Sequence, residues 1–359
     1  MPGRRYQLEL ITIALAALPL LSGCGGPSHQ SAGGQAVTLN GAGASFPYPL
    51  YSKWIAEYAK VAPGVRINYQ SIGSGGGIQQ LKAGTVDFGA SDAPLTDDEM
   101  KAMPRPVVHL PTTAGAVAVV YNLPSLKGAL RLTGPVLSAI FLGEITRWND
   151  KRIADANPGL ALPESSIAVT HRSDGSGTTY LFTSYLAAVS PDWTNKVGVA
   201  KSVSWPVGIG AKGNEGVAGM VRQTPGAIGY VELAYAEGNN LSSAQLQNRA
   251  GQFVSPTTAA ITAAAAAAAS AMQKDVRIGI VNSPAPGAYP ISGFTHLLVY
   301  REQKDPAKGK ALVSFLGWAT HEGQAFCEPL SYAALPADVV RLNEAALATI
   351  QPAGAGAGK

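Results

Sequence analysis

The stretch HRSDGSGTTYLFTSYL, residues 171–186, sets an arginine, an aspartate, three hydroxyls and two glycines between Arg172 and Thr178, directly ahead of a run with helical character. The first N–H groups of a helix have no partners inside it, and the helix dipole is positive at that end. Such a turn therefore attracts an anion without a formal charge. Ser176, Gly177 and Thr178 supply hydroxyl and backbone donors, and the guanidinium of Arg172 suits an oxyanion bidentately. Asp174 is spaced to pair with Arg172 and hold its direction, or to serve as a plain turn aspartate.

Two more turns share this design. GAGASFP places Ser45 and Phe46 just before a helix, and GSGGG places Ser74 and three glycines before another. One Gly-Ser turn is commonly only a cap. Three in one chain point to a shared anion cleft. Asp92, in GASDAP, is the odd member. An ionised carboxylate only accepts hydrogen bonds, so it repels a fully ionised anion and tolerates one that brings its own proton. Phosphate has such a proton at neutral pH and sulfate does not, which makes Asp92 a candidate selectivity element. The plainer alternative is an N-cap or turn residue ahead of Pro94.

The elements that must position these turns alternate between strand-like and helix-like runs, which predicts an α/β protein with largely parallel sheets. Leu50, Trp54, Tyr58 and Val61 recur at helical spacing, VRINYQSI alternates like a half-buried strand, and a short helix is expected from near Ile78. VDFGASD reads as a strand, and Thr96 with Glu99 fits a capping box. AGAVAVVYN, residues 114–122, reads as a strand leaving a first domain. SIAVTHR, NEGVAGMVRQ, GAIGYVELAYA and ISGFTHLLVYR continue the alternation. The alanine-rich TTAAITAAAAAAASAM reads as a surface helix with a small side-chain payload, since alanine is the best helix former.

The N-terminus reads as a targeting segment. Arg4 and Arg5 precede an apolar run from Leu10 to Leu21, and LSGC places Cys24 after small residues. The pattern resembles the lipobox of bacterial lipoproteins, with residues 1–23 a signal peptide and Cys24 the acylated new N-terminus. Residues 24–37 read as a flexible tether and 351–359 as a frayed tail. Cys327 is then left alone, which suits a small buried hydrophobe. With a net charge of +4 and no dense Lys/Arg block, nucleic acid is not an expected partner.

Six motifs, GAGASFPYPLYSKW, NYQSIGSGGG, VDFGASDAPL, RSDGSGTTYLFTSYL, WPVGIGAKGNEGVA and PGAIGYVELAYA, resemble in order the phosphate-binding protein family of bacterial high-affinity phosphate ABC transporters. The resemblance runs from about Leu39 to about Ala345. It implies a two-lobed periplasmic-binding-protein fold of type II, a Venus flytrap. Lobe I would comprise 38–115 and 287–350, and lobe II 116–286. It implies phosphate contacts from Ser45, Phe46 (through N–H), Ser74, Arg172, Ser176, Gly177 (through N–H) and Thr178. Asp92 would accept the phosphate proton, and Asp174 would pair with Arg172. It further implies a monomer that needs no cofactor or metal, anchored to the cell membrane by lipid on the extracytoplasmic side. Its partners would be inorganic phosphate and the permease subunits of an ABC transporter.

A hydrolase is the main rival. A nucleophile elbow needs glycine two positions either side of the serine, but Ile72 precedes Ser74 and Asp174 precedes Ser176 at that spacing. The histidines are scattered, and His171 reads as a structural residue at a strand end. Arsenate, protonated like phosphate, is the ligand that Asp92 would not reject. A secondary role as adhesin or antigen has no residue pattern of its own.

Overall fold

The computed structural model describes residues 36–352; the apolar leader, Cys24 and residues 353–359 lie outside the described residues. The first third of the chain forms β1 (Val37–Gly43), α1 (Tyr48–Val61), β2 (Val65–Ser71), α2 (Ser74–Ala83), β3 (Phe88–Ser91), α3 (Asp97–Lys101) and β4 (Val107–Tyr121). The middle forms β5 (Arg131–Leu132), α4 (Gly134–Phe141), α5 (Lys151–Ala156), β6 (Ala168–Arg172), α6 (Gly177–Val189), α7 (Pro191–Lys196), β7 (Ile209–Ala211), α8 (Gly213–Gln223), β8 (Ala227–Glu232) and α9 (Leu233–Gly238). The last third forms β9 (Ser242–Ser243), β10 (Gln245–Gln247), β11 (Phe253–Val254), α10 (Thr258–Met272), β12 (Ser292–Tyr300), β13 (Glu302–Gln303), α11 (Pro306–Thr320), α12 (Ala337–Leu347) and β14 (Gln351–Pro352).

One mixed sheet runs through the fold in the order β2-β1-β3-β12-β4-β8-β6-β7, with β9 also paired to β4. Strand β4 joins its two halves. Val107–Ala116 pair antiparallel with β12, and Val117–Tyr121 pair antiparallel with β8. All of β4 and β12 is buried, which accounts for their near-continuous apolar sequence. In one half β1 runs parallel to β2 and β3; in the other β6 runs parallel to β7 and β8. Ligands of open α/β sheets bind beyond the carboxyl ends of such strands.

Three expectations shift. Helix α2 begins at Ser74, four residues before Ile78, so the three glycines form its first turn. Tertiary approach explains this: a Cβ on Gly77 would lie 2.5 Å from the backbone of Ala42 and of Gly43, so only glycine fits. The alanine-rich helix α10 is not purely superficial. Ala260, Ile261, Ala264, Ala265, Ala269 and Met272 are buried, and the helix packs on β4, β12 and α12. An all-alanine run carries no periodic contrast that would reveal this face. Gln351 and Pro352, at the start of the expected tail, pair in parallel with Glu302 and Gln303. The Thr96–Glu99 capping box opens α3. Cys327 is buried, and burial pushes its thiol up to about 12.

Candidate functional site

The loops after β1, β3, β6 and β7 meet the start of α2 between the two halves of the sheet. Ser74, the buried first residue of α2, accepts hydrogen bonds at Oγ from the backbone N–H of Gly177 at 3.1 Å and of Asp92 at 3.3 Å. Gly177 opens α6, and Ser176 caps that helix by accepting from the N–H of Thr179 at 3.0 Å. The N–H of Gly75 donates to the carbonyl of Gly175 at 2.8 Å, so the glycine-rich turns touch backbone to backbone. A Cβ on Gly177 would sit 2.6 Å from Ser74 Oγ and from Asp92 Cβ.

Arg172 is the last residue of β6, and its side chain is almost wholly buried. Nε and Nη2 donate to Asp174 Oδ1 at 2.7 Å and Oδ2 at 2.5 Å, a bidentate pair, while Nη1 donates to Thr178 Oγ1 at 3.2 Å. Burial pushes the Asp174 carboxyl up, but the Arg172 bonds outweigh it and hold the group below the usual carboxylate range. The guanidinium is likewise held charged by Asp174 against its own burial.

Asp92 follows β3 and is buried. Its Oδ1 accepts from Thr295 Oγ1 at 2.8 Å. Burial pushes the carboxyl up to about 7, although the Thr295 hydroxyl and the charge of Arg172 both pull it down. Thr295 lies beside a register shift in the β12–β4 pairing, where Thr295 faces Thr113 and His296 faces Pro111. Bulges of this kind re-aim a side chain. The local reading of Asp92 gave no sign of this partner.

Ser45 is fixed from several sides. Its carbonyl accepts from Tyr235 Oη at 2.7 Å, and its Oγ accepts from Asn214 Nδ2 at 2.8 Å and from the Asn214 N–H at 3.3 Å. The ring of Phe46 is buried against Tyr332, whose hydroxyl donates to the Phe46 carbonyl at 2.6 Å. Lys201 spans the halves: Nζ reaches Glu99 Oε1 at 2.6 Å, and its carbonyl accepts from the N–H of Ser176 at 2.8 Å. His171 stacks on Trp205 with ring centroids 4.7 Å apart, a structural role.

The structure brings most of the expected residues into two adjoining groups, with Ser176 capping α6 and Phe46 next to Ser45, while Cys24 lies outside the described residues. Ser74, Asp92 and Gly177 form one bonded group, and Arg172, Asp174, Thr178 and Ser45 are linked through Asn214 in another. Asn214 and Thr295 were missed. Asn214 lies inside GNEGVA, which carried the resemblance without pointing to it. Many neutral donors, one arginine already paired and one buried acceptor suit a small oxyanion that carries a proton. Among the described residues no group of three or more His, Cys, Asp or Glu side chains forms a candidate metal site.

A family model described as a PBP superfamily domain matches residues 29–322. The phosphate-binding protein PstS of Xylella fastidiosa is 49% identical over 312 residues, covering 87% of this chain and 85% of its own. The chain belongs to the PstS family of phosphate-binding proteins. Another PstS, from Haemophilus influenzae, is 47% identical over 307 residues, 85% of this chain and 91% of its own. The fold is similar to that of a solved high-affinity periplasmic phosphate-binding protein, PfluDING, bound with phosphate. The TM-score is 0.71 over 86% of this chain and 93% of that one, at 23% identity.

Proposed function

We propose that this PstS-family chain is an extracytoplasmic receptor that captures inorganic phosphate between two lobes and delivers it to the permease of a phosphate ABC transporter. The observation that carries the reading is Asp92, a buried acceptor set among hydroxyl and N–H donors from both halves of the sheet. A bare phosphate in a dry cleft is very unfavourable unless its oxygens find donors. Ser45, Phe46, Ser74, Arg172, Ser176, Gly177 and Thr178 supply them, and Asp92 takes the phosphate proton. We divide the lobes as 38–115 with 287–350, and 116–286. The change of partner along β4 between Ala116 and Val117 supports this division, although α10, counted in 116–286, packs on β12 and α12 of the other lobe.

The role is binding without catalysis. A serine nucleophile needs a base to take its proton, whereas Ser45, Ser74 and Thr178 each receive N–H donors at their hydroxyl oxygens. The protein acts as a monomer, tethered to the membrane by acylation of Cys24, as the LSGC motif supports. The test is equilibrium binding of labelled phosphate to the purified protein with sulfate as competitor, beside a phosphatase assay, repeated with Asp92→Asn. Tight binding indifferent to sulfate, without turnover, and a gain of sulfate binding in the variant are expected. No phosphate binding by the unaltered protein would overturn the reading.

A further inference from the structure

Asn214 stands at the start of α8 and is fully buried. Its Oδ1 accepts from the backbone N–H of Glu232 at 2.9 Å. A backbone N–H only donates, so this bond fixes which way the amide faces and turns Nδ2 toward the site. The two amide hydrogens then serve two hydroxyls on opposite halves of the sheet, Ser45 Oγ at 2.8 Å and Thr178 Oγ1 at 3.2 Å. Ser45 Oγ also receives the Asn214 N–H, and Thr178 Oγ1 also receives Arg172 Nη1. A hydroxyl oxygen has two lone pairs, and on both residues both are taken. Each hydroxyl is left with a single hydrogen, and it can only donate.

We infer that Asn214 is a positioning residue for anion binding: it polarises Ser45 and Thr178 into obligate donors, so that neither can take a ligand proton and that role falls to Asp92. The inference rests on the phosphate reading and refines it. A site in which these two hydroxyls cannot accept favours phosphate carrying one proton over the doubly protonated form. It also follows that the amide braces the two halves together through the very hydroxyls that hold the anion.

The test compares Asn214→Asp and Asn214→Ala with the unaltered protein, reading phosphate affinity at mildly alkaline and mildly acid pH, with thermal melting as a check on folding. In Asn214→Asp the new carboxylate draws both hydroxyl hydrogens toward itself and turns lone pairs on the anion. Affinity in alkali is expected to fall roughly 100-fold, the loss of two charge-assisted bonds. In Asn214→Ala the hydroxyls are freed, and the fall is about tenfold. Both deficits narrow in acid. The introduced carboxyl takes up a proton it can donate, and the freed hydroxyls in Asn214→Ala can accept from a doubly protonated anion. Expressing each affinity relative to the unaltered protein at the same pH removes the titration of phosphate itself. If Asn214→Asp does not fold, the pH trend of Asn214→Ala carries the test. A deficit that is the same at both pH values, or none, would overturn the inference and leave Asn214 a packing residue. Absence of phosphate binding by the unaltered protein would overturn the phosphate reading itself.

Discussion

Asp92 Oδ1 and Thr295 Oγ1 lie 2.8 Å apart, joining residues 203 positions apart in the chain. The bond opposes burial in setting the state of this acidic acceptor. Burial raises the Asp92 carboxyl from 3.8 to about 7, and the Thr295 hydroxyl is the strongest single influence pulling it back. A folded pKa above the unfolded one means that the native state holds the proton more tightly. Stability then falls as pH rises through this window, from about 4 to about 7, and the penalty is complete above it. At ~1.4 kcal/mol per pKa unit the effect amounts to a few kcal/mol. Thr295→Val keeps the shape and removes the donor. The stability loss without phosphate should then extend to higher pH, and phosphate affinity should drop about tenfold, as for a hydrogen bond to a charged group. Melting temperatures across pH, with Asp92→Asn as the reference that retains the other titrating groups, check the first point; a Thr295→Val profile that overlays the unaltered one would refute it.

Gly177 is required by space. A Cβ there would stand 2.6 Å from Ser74 Oγ, closer than real Cβ contacts allow, and the atoms it meets belong to the other half of the sheet. Gly177→Ala should therefore hold the halves apart while each keeps its own core. Phosphate affinity is expected to fall by about 100-fold or more, because several donors lose reach together. Small-angle scattering should show the unaltered protein contracting on phosphate addition and the variant unchanged in size. Contraction of the variant with normal affinity would show that the approach is not tight enough to matter.

Most of the site was legible because it is built from local signals. Ser45, Ser74, Asp92 and the 172–178 turn each sit where a strand gives way to a turn or helix, and that punctuation is written in glycine, serine and apolar periodicity. What sequence withheld depends on contacts between distant segments. Thr295 lies inside an apolar strand and reads as a half-polar filler until the β12–β4 register shift places it against Asp92. Asn214 reads as an ordinary first-turn residue until Ser45 and Thr178 converge on it from two sides. The early start of α2 is concealed for the same reason: glycine is a poor helix former, and only the backbone of Ala42 and Gly43 explains its presence there.

If Arg172 holds the anion as proposed, Asp174 competes with it for the guanidinium, and stability and binding should move apart. The guanidinium is buried and bidentately paired, so in the protein without phosphate nearly all of its compensation comes from one carboxylate. Asp174→Asn removes that charge but keeps an oxygen to accept from the N–H of Gly213, now 3.1 Å from Oδ1, so the loop carrying Asn214 stays tied. An uncompensated buried charge costs about 3–5 kcal/mol, and the variant without ligand should melt well below the unaltered protein. Phosphate supplies the missing negative charge, so saturating phosphate should recover most of the difference. Sulfate should recover part of it as well, because the site becomes more positive by one charge while Asp92 still repels a fully ionised ligand. Paired melting curves without anion, with phosphate and with sulfate separate the outcomes. Equal destabilisation in all three would mean that Asp174 acts only through the geometry of its turn, with no electrostatic competition for Arg172.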